Sequence, residues 1–122
     1  MLISIRVKNF KSFEDETVLT MIASTKERDL EKHIKEIMSS TRVLKYAVIY
    51  GANASGKSNL IEVFQFIQYC LSESIPAESI NFFCKNKEEN KNLPSEFELI
   101  FSIGKEIYAY GFSVVLSSLT IK

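Results

Sequence analysis

The sequence predicts a single α/β domain, and three patterns carry this prediction. The first residues, Leu2–Lys8, alternate apolar and polar side chains with the period of two that is typical of a half-buried strand. An apolar run, Val43–Tyr50, ends at a glycine-rich turn and is followed by Ser58–Leu71, where apolar residues recur every three or four positions. After Ser95 the alternating pattern returns. Strands and one helix are therefore expected to share a core.

The size and composition of the chain limit what it can be. Its 122 residues are 46% hydrophobic and 25% charged, and 15 basic residues balance 15 acidic ones. Such a length supports one modest core, which excludes two domains within these residues. The neutral balance lacks the positive charge of a protein that grips nucleic acid by itself. No apolar run approaches the roughly 18 residues of a membrane span and no signal peptide is recognisable, so we expect a cytoplasmic protein without a membrane partner.

Local patterns predict further elements. Thr17–Ala23 is apolar and β-branched, which indicates a second strand that forms an antiparallel hairpin with the first. Lys26–Met38 has apolar residues at helical spacing beneath a charged face and predicts a short surface helix, with a loop between strands as the alternative. Phe97–Phe101 and Ile107–Leu116 alternate on either side of Gly104 and predict a second hairpin.

The segment between the predicted helix and the second hairpin, Ser72–Pro94, is weakly patterned and predicts a loop or short insertion. Cys70 and Cys84 have neither the spacing of a zinc site nor that of a disulfide framework. Both cysteines are therefore expected to be reduced and structural.

One motif carries the functional prediction. Residues Gly51–Ser58 read GANASGKS and match the Walker A or P-loop pattern GxxxxGK[ST] in full, between an apolar run and an amphipathic helix. Glycines let backbone N–H groups converge on phosphate oxygens, and the N-terminus of the following helix favours an anion. The Lys57 ammonium would bind the β- and γ-phosphates, and the Ser58 hydroxyl would ligate Mg²⁺. The predicted nucleotide-binding residues are Gly51, Ala52, Asn53, Ala54, Ser55, Gly56, Lys57, Ser58 and Asn59.

Two segments together resemble the ABC-type head ATPases of the SMC and RecF group. Near its start the chain reads ISIRVKNFKSF, in which Asn9–Phe13 is similar to the NF[KR]SF motif of that group, and its P-loop continues to Asn59 as GKSN. The string IYGANASGKSNL, Ile49–Leu60, looks most like stand-alone bacterial ATP-binding proteins of phage defence, of the abortive-infection, retron-associated and overcoming-lysogenization-defect types. The stretch Phe97–Phe112 loosely resembles the antiparallel β part of such heads.

The resemblance implies that residues 1–122 are the N-terminal portion of a single ABC-type head domain, an incomplete P-loop NTPase lobe with a mixed or antiparallel sheet. It implies ATP and Mg²⁺ as ligands, with a second head in a homodimer, or another chain, completing the site. DNA or an effector nuclease would be a partner of the parent protein. The resemblance also implies that Lys11 touches the edge of the nucleotide, although a solvated charge agrees equally well with the residues alone.

Other motifs of such heads do not occur in these 122 residues. There is no LSGG-like signature and no apolar strand that ends in Asp-Glu, and Gln65 and Gln68 lie on the predicted helix, so no catalytic residue is assigned. Hydrolysis needs a positioned water and an acid or base as well as a phosphate clamp. We therefore expect little or no turnover from this chain by itself.

Two alternatives from other classes remain open. The first is a non-enzymatic interaction module whose P-loop is vestigial or regulatory. The second is a small nucleotide kinase or GTPase, and a GTPase is disfavoured because Asn86–Glu89 lacks the Asp of a guanine-reading motif. Without flanking strands, Val43–Tyr50 would have exposed edges, so marginal stability or association is also expected.

Overall fold

The fold consists of seven strands, one α-helix and two 3-10 turns within the residues that the computed structural model describes, which are 1–24, 32–37, 41–52, 56–72, 77–117 and 120–121. In chain order they are β1 (Leu2–Lys8), β2 (Thr17–Thr20), β3 (Ile34–Ile37), β4 (Thr41–Leu44), α1 (Lys57–Ser72), the 3-10 turns Ala77–Asn81 and Glu88–Asn92, β5 (Ser95–Ile103), β6 (Glu106–Val115) and β7 (Thr120–Ile121). Five strands form one sheet in the order β2-β1-β5-β6-β7, while β3 and β4 form a second, two-stranded sheet. Every described strand pair is antiparallel.

The first strand lies inside the large sheet, between β2 and β5. It pairs with β2 from Ser4 opposite Thr20 to Val7 opposite Thr17, and its other edge pairs with β5, which is far away in the sequence. Its alternating burial, with Ile3, Ile5 and Val7 buried, matches the predicted pattern. The predicted hairpin between β1 and β2 is therefore confirmed, although β2 ends at Thr20 rather than continuing to Ala23.

The second predicted hairpin is also confirmed. β5 and β6 pair along their whole length, from Ser95 opposite Val114 to Ile103 opposite Glu106. The two-residue loop between them places Gly104 at its first position with a φ of +62°, a conformation that glycine adopts without steric cost.

The helix α1 covers one face of the large sheet and closes the main core. The predicted helix over Ser58–Leu71 is confirmed and buries Val63, Phe66 and Ile67, whereas Ile61 and Leu71 of the predicted apolar face are exposed. The aromatic rings of this core lie close together, with ring centroids of Phe66 and Phe97 5.0 Å apart and those of Phe10 and Phe97 5.3 Å apart. The aromatic residues on the inner face of α1 thus serve the core.

The prediction of a surface helix over Lys26–Met38 is wrong for the residues that the structure describes. Ile34–Ile37 is the strand β3, which pairs antiparallel with β4, while residues 25–31 and 38–40 lie outside the described ranges. The side chain of Ile37 joins a second buried cluster with Ile3, Met21 and Val43. Here the pairing with β4 outweighs the helical spacing of the sequence, because burial of Ile37 in this cluster stabilises an extended backbone.

The predicted strand Val43–Tyr50 is confirmed only at its start. β4 ends at Leu44, and the segment 45–50 belongs to no strand and is exposed throughout. Within the described ranges, no backbone hydrogen bond joins residues 46–50 to another segment. A strand needs a partner for its backbone N–H and C=O groups, and no described strand lies beside this run to supply one.

The exposed segment 46–50 is strongly apolar, with Val48 76% exposed and Tyr50 90% exposed. We expect Val48→Lys combined with Tyr50→Lys to reduce concentration-dependent self-association in sedimentation velocity, because an unpaired apolar segment favours contacts between chains. Unfolding in urea is expected to stay within about 0.5 kcal/mol of the parent chain, since neither side chain is buried.

A matched control is Ile103→Lys combined with Tyr108→Lys, which adds the same two charges at an exposed aliphatic and an exposed aromatic side chain in strands whose backbones are paired. This variant is expected to keep the self-association of the parent chain. Equal loss of self-association in both variants would contradict a special role for the exposed segment.

The remaining findings concern the segment after α1, the two cysteines and the apolar character of the helices. The predicted loop or insertion between α1 and the second hairpin contains the two 3-10 turns. Cys70 and Cys84 are both free thiols, and burial raises the pKa of the Cys70 thiol to about 11. None of the helices in the described ranges combines the length and the apolar character that a membrane crossing requires.

Candidate phosphate-binding site

The predicted P-loop connects the exposed segment to α1. Gly51 and Ala52 are exposed, whereas Asn53, Ala54 and Ser55 lie outside the described ranges. Gly56 has a φ of +92°, and a Cβ atom placed on it would lie 3.2 Å from the Ser12 Oγ atom. Glycine is therefore favoured at this position by its backbone conformation, and a side chain there would also be in tight contact with Ser12 Oγ.

The three last predicted site residues begin the helix. Lys57, Ser58 and Asn59 are the first residues of α1, and the Leu60 N–H donates the first helical hydrogen bond to the Gly56 carbonyl, at 3.2 Å. The backbone N–H groups of a first helical turn have no partner within the helix and carry its positive dipole end. This arrangement can accept an anion at the Gly56 end of α1.

The Lys57 side chain turns back across the loop. Its ammonium donates a hydrogen bond to the carbonyl oxygen of Gly51, so the first and the seventh residue of the motif are joined directly. A lysine on a flexible stem can exchange a carbonyl oxygen for a phosphate oxygen, which accepts a stronger, charge-assisted hydrogen bond. The Ser58 hydroxyl is exposed beside it.

The N-terminal turn, which we define as residues 9–13, contacts the start of α1 at two points. Asn59 Nδ2 donates a hydrogen bond to Ser12 Oγ at 2.9 Å, and the Lys11 ammonium forms an ion pair with the Glu62 carboxylate. Lys11 also lies over the Phe82 ring, 4.0 Å from its centroid. Partial burial lowers the pKa of the Lys11 ammonium. Lys11 is thus a paired charge next to the P-loop helix and is not a freely solvated one.

Asn9 fixes the N-terminal turn to the chain that precedes β5. Its Nδ2 atom donates to the Asn90 carbonyl at 2.8 Å and to the Leu93 carbonyl at 3.1 Å, and its Oδ1 atom accepts from the Cys84 N–H at 3.0 Å. Its own carbonyl accepts a hydrogen bond from the Ser95 hydroxyl. Its backbone has a φ of +53°, which asparagine tolerates better than most residues.

The carboxylate of Glu14 extends the same connection. It accepts hydrogen bonds from Asn90 Nδ2 at 3.3 Å and Asn86 Nδ2 at 3.4 Å, and it lies 3.3 Å from the Lys87 ammonium. The hydrogen bonds from Asn90 and Asn86, followed by that from Lys87, lower the pKa of the Glu14 carboxyl group. Asn86 and Lys87, from the stretch that lacks the Asp of a guanine-reading motif, thus contact the carboxylate of Glu14, the residue directly after the N-terminal turn.

Sequence reasoning finds the P-loop but misses the residues that support it. It assigns no role to Ser12, Glu62 or Phe82, all of which contact the N-terminal turn or the P-loop glycine. The only signal for them is the proximity of Glu62 and Asn59, which are three residues apart and so lie on one side of a helix. Nothing in the sequence indicates that Ser12 is their neighbour.

The residues present fit a bound nucleotide phosphate with Mg²⁺. Gly56 leaves the start of the helix free of a side chain, the Lys57 ammonium reaches the Gly51 carbonyl, and Ser58 lies in the first turn of α1. Among the described residues, no cluster of three His, Cys, Asp or Glu side chains could hold a metal by itself. A Mg²⁺ ion at this site would therefore depend on Ser58 together with ligands from the nucleotide.

An α/β fold with antiparallel sheets is compatible with a fragment of a P-loop NTPase, and a family model supports a P-loop domain of the AAA/ABC-like kind. The family model described as "AAA domain, putative AbiEii toxin, Type IV TA system" matches residues 47–118, which is more than half of the chain. The chain belongs to this family. The match begins in the exposed segment and ends just after β6, so it includes the P-loop, α1 and the second hairpin. No curated protein matches the chain.

Proposed function

We propose that this chain binds ATP with Mg²⁺ through the P-loop Gly51–Ser58. The observation that carries the proposal is the placement of Lys57, whose ammonium donates to the Gly51 carbonyl from the start of a helix that follows a glycine with a φ of +92°. Membership in an AAA-domain family supports the same ligand, because P-loop domains of this kind generally bind ATP with Mg²⁺.

Each residue has a separate task in this proposal. The first-turn N–H groups of α1 donate to phosphate oxygens, and Lys57 gives up the Gly51 carbonyl to pair with the β- and γ-phosphates. Ser58 supplies an oxygen ligand to Mg²⁺. When bound, the ion neutralises phosphate charge. Asn59 continues to hold the start of the helix against the N-terminal turn.

We further propose that the chain is part of an ATPase head of the SMC and RecF kind, in a cytoplasmic protein that acts in phage defence or on DNA. The support is the NFKSF motif, whose residues pack against the P-loop helix, and a family description that names a toxin of a toxin–antitoxin system. A second head of the parent protein, or a chain that carries the missing acidic residues, would complete the hydrolytic site. Phosphate release by this chain alone, lost in Lys57→Ala, would contradict the need for such a partner.

A second candidate is an interaction module in which the P-loop has a regulatory or vestigial role. The exposed apolar segment 46–50 favours it, because such a segment next to the P-loop is suited to pair with another chain. The discriminating measurement is the molecular mass in light scattering with and without Mg·ATP. A change in mass supports ATP-gated assembly, and an unchanged mass supports the interaction module.

Isothermal titration calorimetry of the chain with ATP tests the main proposal. We expect saturable binding in the presence of Mg²⁺ that is weaker in EDTA. We also expect Ser58→Ala to remove most of this difference, since the hydroxyl is the chain's own ligand to the ion. Ser72→Ala, at the other end of α1, is the matched control and should retain the Mg²⁺ effect. Absence of binding at millimolar ATP would overturn the proposal.

A further inference from the structure

The N-terminal turn is built to be rigid. The backbones of Phe10 and Phe13 exchange two hydrogen bonds, at 2.9 and 2.8 Å, so that only Lys11 and Ser12 lie between them. Lys11 has a φ of +50°, and its N–H donates to the Phe82 carbonyl at 2.6 Å. The turn therefore has little freedom to adjust its two central side chains independently.

The turn is also fixed to the protein interior at its first two residues. Phe10 is fully buried and packs against the rings of Phe66, Phe82 and Phe97. Asn9 is hydrogen-bonded to the chain before β5. A movement of the turn would have to break these buried contacts, so the turn is a fixed reference point for whatever it touches.

What the turn touches is the first part of the P-loop helix. Ser12 and Lys11 contact Asn59 and Glu62, two residues that are three positions apart and share one side of α1. Ser12 Oγ lies next to Gly56, 3.2 Å from the position that a Cβ atom on Gly56 would occupy. Two contacts and one steric limit thus act on the first two turns of α1, the end of the helix that would face a phosphate.

We propose that Ser12 and Lys11 are positioning residues for the phosphate loop. Through Asn59 and Glu62 they hold the first turn of α1, and with it the N–H groups that follow Gly56, in the orientation that a bound phosphate requires. The inference rests on the proposed binding of ATP. Its physical basis is preorganisation: a helix start that is already fixed loses less conformational freedom when the nucleotide binds, so affinity rises without any direct contact from the turn.

The test is a double-mutant cycle on the Ser12–Asn59 hydrogen bond, read by fluorescence titration of the full chain with mant-ATP and Mg²⁺. We expect Ser12→Ala and Asn59→Ala each to weaken binding by about 3-fold to 10-fold, the range expected for one hydrogen bond. The double variant should bind no more weakly than the weaker single variant, because both remove the same contact. Ser12→Thr keeps the hydroxyl and should restore most of the affinity.

Matched controls come from the far part of the same helix. Ser72→Ala removes a hydroxyl that bonds within α1, and Gln68→Ala removes an exposed amide, and both should bind mant-ATP like the parent chain. Urea unfolding without nucleotide should change little in Ser12→Ala, since the hydrogen bond is exposed. A purely structural role would instead lower stability and leave the affinity unchanged.

The outcomes separate this inference from the proposed function. If the parent chain binds mant-ATP and Ser12→Ala binds equally well, the positioning role is overturned and ATP binding stands. If the losses from Ser12→Ala and Asn59→Ala add in the double variant, Asn59 acts directly on the nucleotide and the coupling is overturned. If the parent chain does not bind, the proposed function fails and the inference fails with it.

Discussion

Lys57→Ala is expected to weaken ATP binding by about 10-fold to 100-fold, because a hydrogen bond to a charged group contributes about 1.5 to 3 kcal/mol. The side chain is placed for this role, since its ammonium crosses the loop to the Gly51 carbonyl and is not bound to a carboxylate of the described residues. Without nucleotide the variant should unfold at nearly the same urea concentration as the parent chain, because the bond it loses is exposed. Calorimetric titration with Mg·ATP measures the first effect.

The control for this variant is Lys105→Ala, which removes an exposed lysine from the turn between β5 and β6. It changes the net charge of the chain by the same amount and should leave ATP binding unchanged. Retention of full affinity by Lys57→Ala would place the nucleotide elsewhere on the protein. Equal loss in both variants would indicate that long-range attraction, rather than the P-loop lysine, governs binding.

Asn9→Ala is expected to lower the free energy of unfolding by about 3 to 5 kcal/mol, a large part of the total of about 5 to 15 kcal/mol of an ordinary domain. The substitution leaves the Cys84 N–H and the Asn90 carbonyl, both bonded to Asn9 in the interior, without their partner. Alanine is also disfavoured at a φ of +53°. Urea unfolding followed by circular dichroism measures the loss.

Asn92→Ala is the matched control, because it removes an exposed asparagine from the same stretch before β5. Its free energy of unfolding should lie within about 0.5 kcal/mol of the parent value. Equal free energies of unfolding for Asn9→Ala and Asn92→Ala would contradict a structural role for Asn9. Asn9 would then have no assigned role in this chain.

Local patterns predict the parts of the fold that local contacts decide. The second hairpin and α1 are found within a few residues because alternation and helical spacing reflect which face of each element is buried. The helix prediction over Lys26–Met38 fails at Ile34–Ile37 because β4 lies beside these residues and Ile37 packs into the cluster around Met21. The prediction of a strand over Val43–Tyr50 is wrong beyond Leu44, because an apolar run indicates burial but does not provide the neighbouring strand that pairing requires.

The candidate site divides in the same way. The P-loop is recognisable because its glycines, Lys57 and Ser58 are close together in the sequence, and the structure places the described members at the start of α1. The hydrogen bond from Asn59 to Ser12 joins residues 47 positions apart, and no spacing rule relates them. The resemblance of NFKSF to head ATPases points to residues 9–13, but the packing of Lys11 against Glu62 and Phe82 could be found only from the structure.

The position of β1 inside the sheet has a consequence for how the chain folds. One edge of β1 pairs with β2, which follows it closely in the sequence, whereas the other edge pairs with the distant β5. The Met1 ammonium also donates a hydrogen bond to the Ser102 carbonyl, across most of the described chain. Contacts of such sequence separation make folding slow. During synthesis, the β1–β2 hairpin is made before β5 and keeps one edge unpaired until β5 has been made. The N-terminal turn, which is synthesised before α1 and β5, therefore reaches its final place only after both have been made.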